Sequence, residues 1–129
     1  MNVLYCRVSS AFQNLDRQTL HRHKVEKCIE DYSSGAIPFF QRKHGKEILK
    51  MLKDNQITTF QVLTIDRLGR DLQDILATIS IFTNHKVPIH FISQGLVTLD
   101  EQKNESSVAK LVINILACVA EMSRSQIKE

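Results

Sequence analysis

Two clusters of polar side chains have the composition of a catalytic site that acts on an anion. The first contains Arg7 and Ser9, two residues apart at the end of the apolar run Val3–Val8. If that run is a strand, both side chains point the same way at its carboxyl end, where ligands bind in open α/β sheets. A serine beside a guanidinium suits attack on an anion, because the cation neutralises the charge that repels the nucleophile.

The second cluster is Asp66–Asp71, which reads DRLGRD and follows a predicted strand. Its arginines, Arg67 and Arg70, are three residues apart where the next helix starts, so they can project to one side. Two guanidiniums and the helix N–H groups would cradle a phosphate. Asp66 should stay ionised and could orient an arginine or accept a proton. Taken alone, a serine at the end of a strand is usually a turn residue. Taken alone, a segment such as DRLGRD is more often the salt-bridged start of a helix than a catalytic site.

Strands and helices alternate along the chain, which predicts an α/β fold with a mainly parallel central sheet flanked by helices. The predicted strands are Val3–Val8, Cys28–Tyr32, Phe60–Ile65 and Val87–Ile92. The predicted helices are Asn14–Lys27, Lys46–Lys53, Asp71–Asn84 and a long one from Ser106 or Ser107 to the C-terminus. Ser33–Gly45 is predicted as a loop with Phe39 and Phe40 at the surface, and Gln94–Glu105 as a polar loop.

The last helix has an unusually narrow polar stripe, formed by Lys110, Asn114 and Glu121. A helix that is apolar around most of its circumference must bury more than one face. One face can pack on the sheet, and the other needs a partner, most simply a second copy of the chain. A fully buried central helix would have the same composition, so both interpretations stay open here.

Composition excludes several other classes of protein. With 43% hydrophobic and 24% charged residues, the chain is neither collagen-like nor disordered. The net charge of +3 permits a nucleic-acid partner without arguing for one. The three cysteines form no CxxC pair and the five histidines no ligand spacing, so we expect a reduced, cytoplasmic protein without a metal or other cofactor. We expect neither a secretory signal, because Arg7 interrupts the short N-terminal apolar run, nor a membrane span, because Val108–Met122 is too short and too polar.

The two clusters, taken in order, resemble the conserved motifs of the serine recombinases, the resolvase/invertase family. The resemblance rests on Tyr5–Ser10 with Gln13, Leu15, Asp16 and Gln18, on Ile65–Arg70, and on Asp31, Ser34 and Gly35 between them. The final helix is similar to the family's long dimerisation helix. The resemblance covers essentially the whole chain.

The resemblance implies a specific reaction. Ser9 would attack a DNA phosphodiester and form a 5′-phosphoserine link, releasing a 3′-hydroxyl. The scissile phosphate would be bound by Arg7, Arg67 and Arg70, and Asp66 would position these groups or help move protons. Two glutamines, Gln13 and Gln18, match family residues that support the active site. The arginines would do the electrostatic work that a metal does in many nucleases.

Further contacts to DNA or phosphate are expected from Arg42, Lys53 and Arg124. The loop before Arg42 looks longer than in compact resolvases, so Lys43 competes with Arg42 for the family's loop arginine. Ser123 stands where many members have a glutamate at the subunit interface, which affects assembly rather than chemistry. The basic stretch Arg42–Lys53 is either a solvated helix face or a DNA-facing surface, and both stay open.

As a whole, residues 1–129 are expected to form one catalytic domain, with 106–129 as the dimerisation helix and a DNA-binding domain following. The expected partners are double-stranded DNA and other copies of the chain, as a dimer and as a tetramer during synapsis. A cytoplasmic protein of bacterial or mobile-element origin fits this picture. The alternatives are a degenerate, non-catalytic recombinase-like subunit and a phosphate-binding or regulatory α/β module. The second would need acidic residues where this chain has arginines.

Overall fold

The computed structural model describes residues 1–7 and 25–128. In the described part of the chain, a five-stranded sheet is combined with three α-helices and two short 3-10 turns. The strands are β1 (Asn2–Arg7), β2 (Lys27–Asp31), β3 (Thr59–Val62), β4 (Ile89–Phe91) and β5 (Leu96–Val97). The helices are α1 (Lys43–Lys53), α2 (Leu72–Asn84) and α3 (Ser107–Lys128). The 3-10 turns are Phe39–Gln41 and Ile65–Leu68.

The strand order of the sheet determines where a site can form. The order is β2-β1-β3-β4-β5, in which β1 to β4 are parallel and β5 is antiparallel to β4. From β1 the chain continues to β2 on one side, and from β3 it continues to β4 on the other. The carboxyl ends of β1 and β3 therefore flank the point where the strand order reverses, which is where open α/β sheets bind ligands.

One face of the sheet carries the hydrophobic core. Alternate residues of the strands are fully or almost fully buried there, namely Val3, Tyr5, Phe60, Val62, Ile89 and Phe91. Helix α1 covers this face with Ile48, Met51 and Leu52, and α2 covers it with Ile75, Ile79 and Phe82. The predicted α/β fold with a mainly parallel central sheet flanked by helices is thus confirmed.

The prediction that Phe39 and Phe40 lie at the surface was wrong. Phe39 is 0% exposed, and Phe40 is partly buried. The Phe39 ring lies 5.1 Å from that of Tyr5 and packs edge-on against Phe60 and Phe82. Aromatic burial therefore turns this part of the predicted loop into a 3-10 turn that belongs to the core. Helix α1 follows at once, so it begins three residues before the predicted start at Lys46.

Other boundaries also differ from the sequence-based assignment. The predicted helix Asn14–Lys27 lies mostly outside the described residues, and Lys27 itself starts β2. The segment Gln94–Glu105, predicted as a polar loop, contains β5. Strand β5 needs only two residues because it extends the edge of the sheet beside β4. A strand of two residues is too short to show an alternating pattern in the sequence.

Helix α3 begins at Ser107, one of the two predicted starts, and packs on the domain through Ala109 and Ile113. Ser106 caps the helix by accepting a hydrogen bond from the backbone N–H of Ala109. On another side, Leu111, Ile115 and Val119 are 61%, 53% and 43% exposed. Over the side chains that the structure describes, α3 is therefore not a fully buried central helix, and this apolar outer face is uncovered. None of the described helices is long and apolar enough to cross a membrane.

Candidate active site

Several residues predicted from the two motifs meet at the carboxyl ends of β1 and β3. Arg7 is the last residue of β1, and Asp66 and Arg67 lie in the 3-10 turn that follows β3. The other predicted catalytic residues of the first motif, Ser9, Gln13 and Gln18, lie outside the described residues. The side chain of Arg124 is also outside the described part, although its backbone belongs to α3.

Arg7 is held closely by the loop after β2. Its side chain is 9% exposed, and one guanidinium nitrogen lies 3.4 Å from the carbonyl oxygen of Ser33. A Cβ atom at Gly35 would lie only 3.3 Å from the guanidinium carbon, so the glycine allows the loop to cover the cation. Burial first, and then the positive charges of Arg67 and Arg42, lower the pKa of the Arg7 guanidinium below its usual value.

Arg42 is buried beneath this site. Although 0% exposed, its guanidinium donates hydrogen bonds to the carbonyl oxygens of Arg67 (2.7 Å) and Ile37 (3.0 Å). It also donates to the hydroxyl of Tyr5 at 3.3 Å and lies 5.5 Å from the ring centre of Phe39. Arg42 thus ties the backbone of the second motif to β1 and to the loop before α1.

Tyr5 and Asp31 complete the buried polar network. The Tyr5 hydroxyl donates to the carboxylate of Asp31 at 3.0 Å, and burial is the main reason why the pKa of Tyr5 is raised. The same carboxylate accepts hydrogen bonds from the backbone and hydroxyl of Ser33, at 3.1 and 2.6 Å. Since Ser33 also contacts Arg7, the network links the ends of β1 and β2 and, through Arg42, the turn after β3.

Arg67 and Arg70 differ in their surroundings. The Nε atom of Arg67 is buried and finds no hydrogen-bond partner among the described residues. Arg70 is instead 54% exposed, and its Nε lies 3.5 Å from the carboxylate of Asp71. Arg70 directly precedes Asp71, which caps α2, as expected of a residue at the helix start, whereas Arg67 lies in the preceding 3-10 turn. Asp66 is exposed beside them and favours the charged form of Arg7.

The residues predicted to make additional contacts with DNA or phosphate lie in contrasting positions. Arg42 is fully buried, although its Nη2 atom has no hydrogen-bond partner among the described residues, so its contact with phosphate stays a prediction. Lys53 is exposed at the end of α1. It belongs to a row of exposed lysines spaced three or four residues apart along this helix, namely Lys43, Lys46, Lys50 and Lys53.

Three residues that the structure places around the site, Tyr5, Asp31 and Asp74, had no role predicted from the sequence. Tyr5 and Asp31 belong to the matched motifs but have partners distant in sequence, so no local pattern could reveal their network. Asp74 had a detectable signal. It follows the helix cap Asp71 by three residues, the spacing of a capping box. Within the described residues, no group of three or more His, Cys, Asp or Glu side chains could hold a metal ion.

Known proteins show clear similarity to this chain. The family described as resolvase, N-terminal domain, matches residues 2–129. The Tn501 resolvase of Pseudomonas aeruginosa is 34% identical over 97% of this chain and 63% of its own length. The Tn552 DNA-invertase BinR of Staphylococcus aureus is 30% identical over 100% of this chain and 64% of its own length. The chain thus spans less than two thirds of the length of these relatives.

Solved structures agree with the fold. The N-terminal catalytic domain of TP901-1 integrase has a TM-score of 0.75 at 23% identity, covering 97% of both chains. A resolvase-family site-specific recombinase from Streptococcus pneumoniae has a TM-score of 0.67 at 22% identity, covering 98% of this chain and 89% of its own. At this identity the structures support the shared architecture, and the match over residues 2–129 supplies the family. This chain belongs to the resolvase N-terminal domain family.

Proposed function

We propose that this chain is the catalytic domain of a serine site-specific recombinase that cleaves and rejoins double-stranded DNA. The observation that carries the proposal is the crowding of cations at the ends of β1 and β3. Besides burial, the positive charges of Arg67 and Arg42 lower the pKa of Arg7, so these cations lie close enough to repel one another. A bound phosphodiester would offset this repulsion, more strongly still as its negative charge grows during the reaction.

In the proposed reaction, the Ser9 hydroxyl oxygen attacks the scissile phosphorus. A bond forms between this oxygen and phosphorus, the bond from phosphorus to the 3′ oxygen breaks, and the DNA stays attached to Ser9 through its 5′ phosphate. The serine proton leaves, and the departing 3′ oxygen gains a proton to become a hydroxyl. The phosphoserine ester conserves the bond energy, so attack by a 3′-hydroxyl rejoins the strands without ATP.

The arginines and Asp66 have complementary roles in this proposal. Arg7 and Arg67 are positioned by the loop and network around them, so they can hold the phosphate oxygens with little reorganisation. Arg70 is exposed and can reach a phosphate that approaches from solvent. Asp66 would orient these guanidiniums or help move protons, and Gln13 and Gln18 would support the site.

The proposed partners are DNA and other copies of the chain. The exposed apolar side chains of Leu111, Ile115 and Val119 support a homodimer through α3, with a tetramer forming during synapsis. Lys53 and Arg124 would add contacts to the DNA backbone. Among the similar proteins are transposon resolvases and a DNA-invertase from bacteria, which fits a cytoplasmic protein of a mobile element.

The nucleophile is tested with two serine variants in the full chain, given DNA that carries its recombination site. Ser9→Ala should form no covalent protein–DNA adduct, whereas the neighbouring variant Ser10→Ala serves as the matched control and should still form it. An adduct that persists in Ser9→Ala would contradict the proposal. Site-specific DNA binding without any adduct in the wild-type protein would favour the non-catalytic recombinase-like subunit instead.

The dimer is tested separately by sedimentation over a range of concentrations. Replacing Leu111 and Ile115 together by Glu puts charge on the uncovered face of α3 and should give a monomer. Lys110→Glu is the matched control, because this residue is exposed on the polar stripe, and it should leave the dimer intact. A wild-type protein that is monomeric at every concentration would contradict dimerisation through α3.

A further inference from the structure

The Asp74 carboxylate joins two segments of the site that are far apart in sequence. One of its oxygens, Oδ2, accepts hydrogen bonds from the backbone N–H of Arg70 at 2.9 Å and of Phe39 at 3.0 Å. Arg70 belongs to the second motif, and Phe39 begins the 3-10 turn that leads to Arg42. One side chain therefore connects the two backbone segments that carry these arginines.

This arrangement departs from an ordinary helix cap. Asp71 caps α2 in the usual way, because its carboxylate accepts a hydrogen bond from the backbone of Asp74 at 2.8 Å. In a capping box, the side chain of the third helical residue would accept a hydrogen bond from the backbone N–H of the cap residue. Asp74 reaches one residue further back, to Arg70, and adds the contact with Phe39, which capping of α2 does not need.

Gly69 provides the space for this contact. A Cβ atom at this position would lie 2.7 Å from Asp74 Oδ2 and 2.8 Å from the backbone nitrogen of Ile75. The glycine backbone is fully extended, with φ 179° and ψ 176°, so its conformation suits any residue. The reason for a glycine here is therefore the close approach of the carboxylate.

The other end of the connection is rigid. Phe39 is fully buried, and its ring packs against the rings of Tyr5, Phe60 and Phe82. A hydrogen bond to the Phe39 backbone therefore fixes the position of the Asp74 carboxylate relative to the core. The backbone of Arg70 is fixed with it, although the Arg70 side chain is half exposed.

We propose that Asp74 is a positioning residue that holds the backbone of Arg70 so that its guanidinium meets the scissile phosphate. This proposal rests on the proposed recombinase function. Asp74 does not touch the substrate and acts through Arg70. Arg42 supports the backbone of Arg67 in the same way, so each arginine of the second motif is held from the loop before α1.

The first experiment measures the rate of covalent adduct formation at saturating DNA with the full chain. Asp74→Ala removes the oxygen that accepts both hydrogen bonds and should lower this rate by about tenfold or more, since small misplacements of catalytic groups have such costs. DNA affinity should change little. Asp74→Asn keeps an oxygen at the same place and should recover most of the rate.

Thr78→Val is the matched control for simple destabilisation. Thr78 is buried in the same helix and donates a 2.8 Å hydrogen bond to the backbone oxygen of Asp74, so the variant weakens α2 but leaves the carboxylate in place. Its rate should equal that of the wild type at temperatures where both are folded. If folded Asp74→Ala cleaves at the wild-type rate, or if Thr78→Val loses as much, the proposal is overturned.

A second readout needs no DNA cleavage. Titration of the full chain with inorganic phosphate, followed by NMR of the arginine Nε–Hε signals, reports how Arg67 and Arg70 respond. In the wild type, the shifts of both signals should fit the same dissociation constant for phosphate. In Asp74→Ala, the shift of the Arg70 signal should fit a larger dissociation constant than that of Arg67. Identical Arg70 responses in both proteins would overturn the positioning role. If the wild type forms no adduct, but Asp74→Ala still weakens the Arg70 response to phosphate, the recombinase function would be refuted and the positioning role of Asp74 supported.

Discussion

Arg42 and Arg70 are the same residue type in one site, yet they stand at opposite limits of burial. Arg42 is 0% exposed and donates to two backbone carbonyls and a buried hydroxyl. The Arg70 side chain is 54% exposed, and its Nε lies 3.5 Å from the carboxylate of its neighbour Asp71. Burial has a large desolvation cost for a cation, which Arg42 offsets with hydrogen bonds and Arg70 avoids.

The difference shows how a cationic site is divided between structure and chemistry. A buried arginine with several protein acceptors fixes the surrounding backbone, and its removal leaves those acceptors unpaired. An exposed arginine contributes little to folding but is free to meet a substrate. We therefore expect stability to depend on Arg42 and the reaction to depend on Arg70.

The largest effect is expected for Arg42→Ala. The change leaves Tyr5 and the carbonyl oxygens of Arg67 and Ile37 without a donor, at a cost of about 3 kcal/mol or more in the free energy of unfolding. Urea unfolding measures the loss. Lys43→Ala is the matched control, because this neighbouring cation is exposed and should change stability very little. Equal stability of the two variants would contradict the structural role of the buried Arg42.

Arg70→Ala should have the opposite profile. Its adduct formation should fall by about 100-fold or more, as is common when one preorganised charge contact is removed. Its free energy of unfolding should change by less than about 0.5 kcal/mol, because an exposed ion pair contributes little. Single-turnover cleavage and urea unfolding of the same preparation measure both. A stable variant with undiminished cleavage would exclude Arg70 from the chemistry.

A smaller effect is expected for Tyr5→Phe, which sharpens the interpretation of the buried network. The variant keeps the packing against Phe39 but removes the hydroxyl that joins Arg42 to Asp31. The free energy of unfolding should fall by about 1 to 2 kcal/mol, since Asp31 loses a buried donor. Thermal unfolding measures this change, and an unchanged melting temperature would show that the network does not depend on Tyr5.

The smallest effect concerns an exposed pair far from the site. Hydrogen bonds from Lys27 and then His44 lower the pKa of Glu47 below its ordinary value. A lowered pKa in the folded state stabilises the fold above the unfolded pKa, and this stability is lost as the pH falls through the folded pKa. Because the pair is exposed, the contribution should not exceed about 0.5 kcal/mol. Urea unfolding at neutral and acidic pH should show that Glu47→Gln loses slightly less free energy of unfolding on acidification than the wild type. An identical pH dependence of the two proteins would contradict this.

The sequence was sufficient for the architecture and for part of the site. The apolar runs and the amphipathic α2 predicted the parallel sheet and its helices, because burial requires those periods. The strand ends correctly located Arg7 and Arg67 beside each other. The burial of Phe39 and Arg42 was not predicted, since it depends on rings and carbonyls brought together from β1, β3 and α2.

Two further features lay beyond local patterns for a similar reason. The D-x-x-D spacing of Asp71 and Asp74 predicts a helix cap. The hydrogen bond that Asp74 accepts from the backbone of Phe39, however, depends on the tertiary fold. The two interpretations of α3 were equal by composition, and only the exposure of Leu111 and Ile115 separates them. Partners distant in sequence, rather than weak propensities, therefore account for what sequence reasoning missed.

The central claim, that Ser9 links to DNA beside this cation site, is tested most directly by mapping the covalent adduct. The full chain is trapped on its recombination site and digested, and the peptide that carries the nucleotide is sequenced by mass spectrometry. We predict a single modified residue, Ser9, joined to a 5′ phosphate with a free 3′-hydroxyl on the other DNA end. A link at another residue, or one to a 3′ phosphate, would contradict the account.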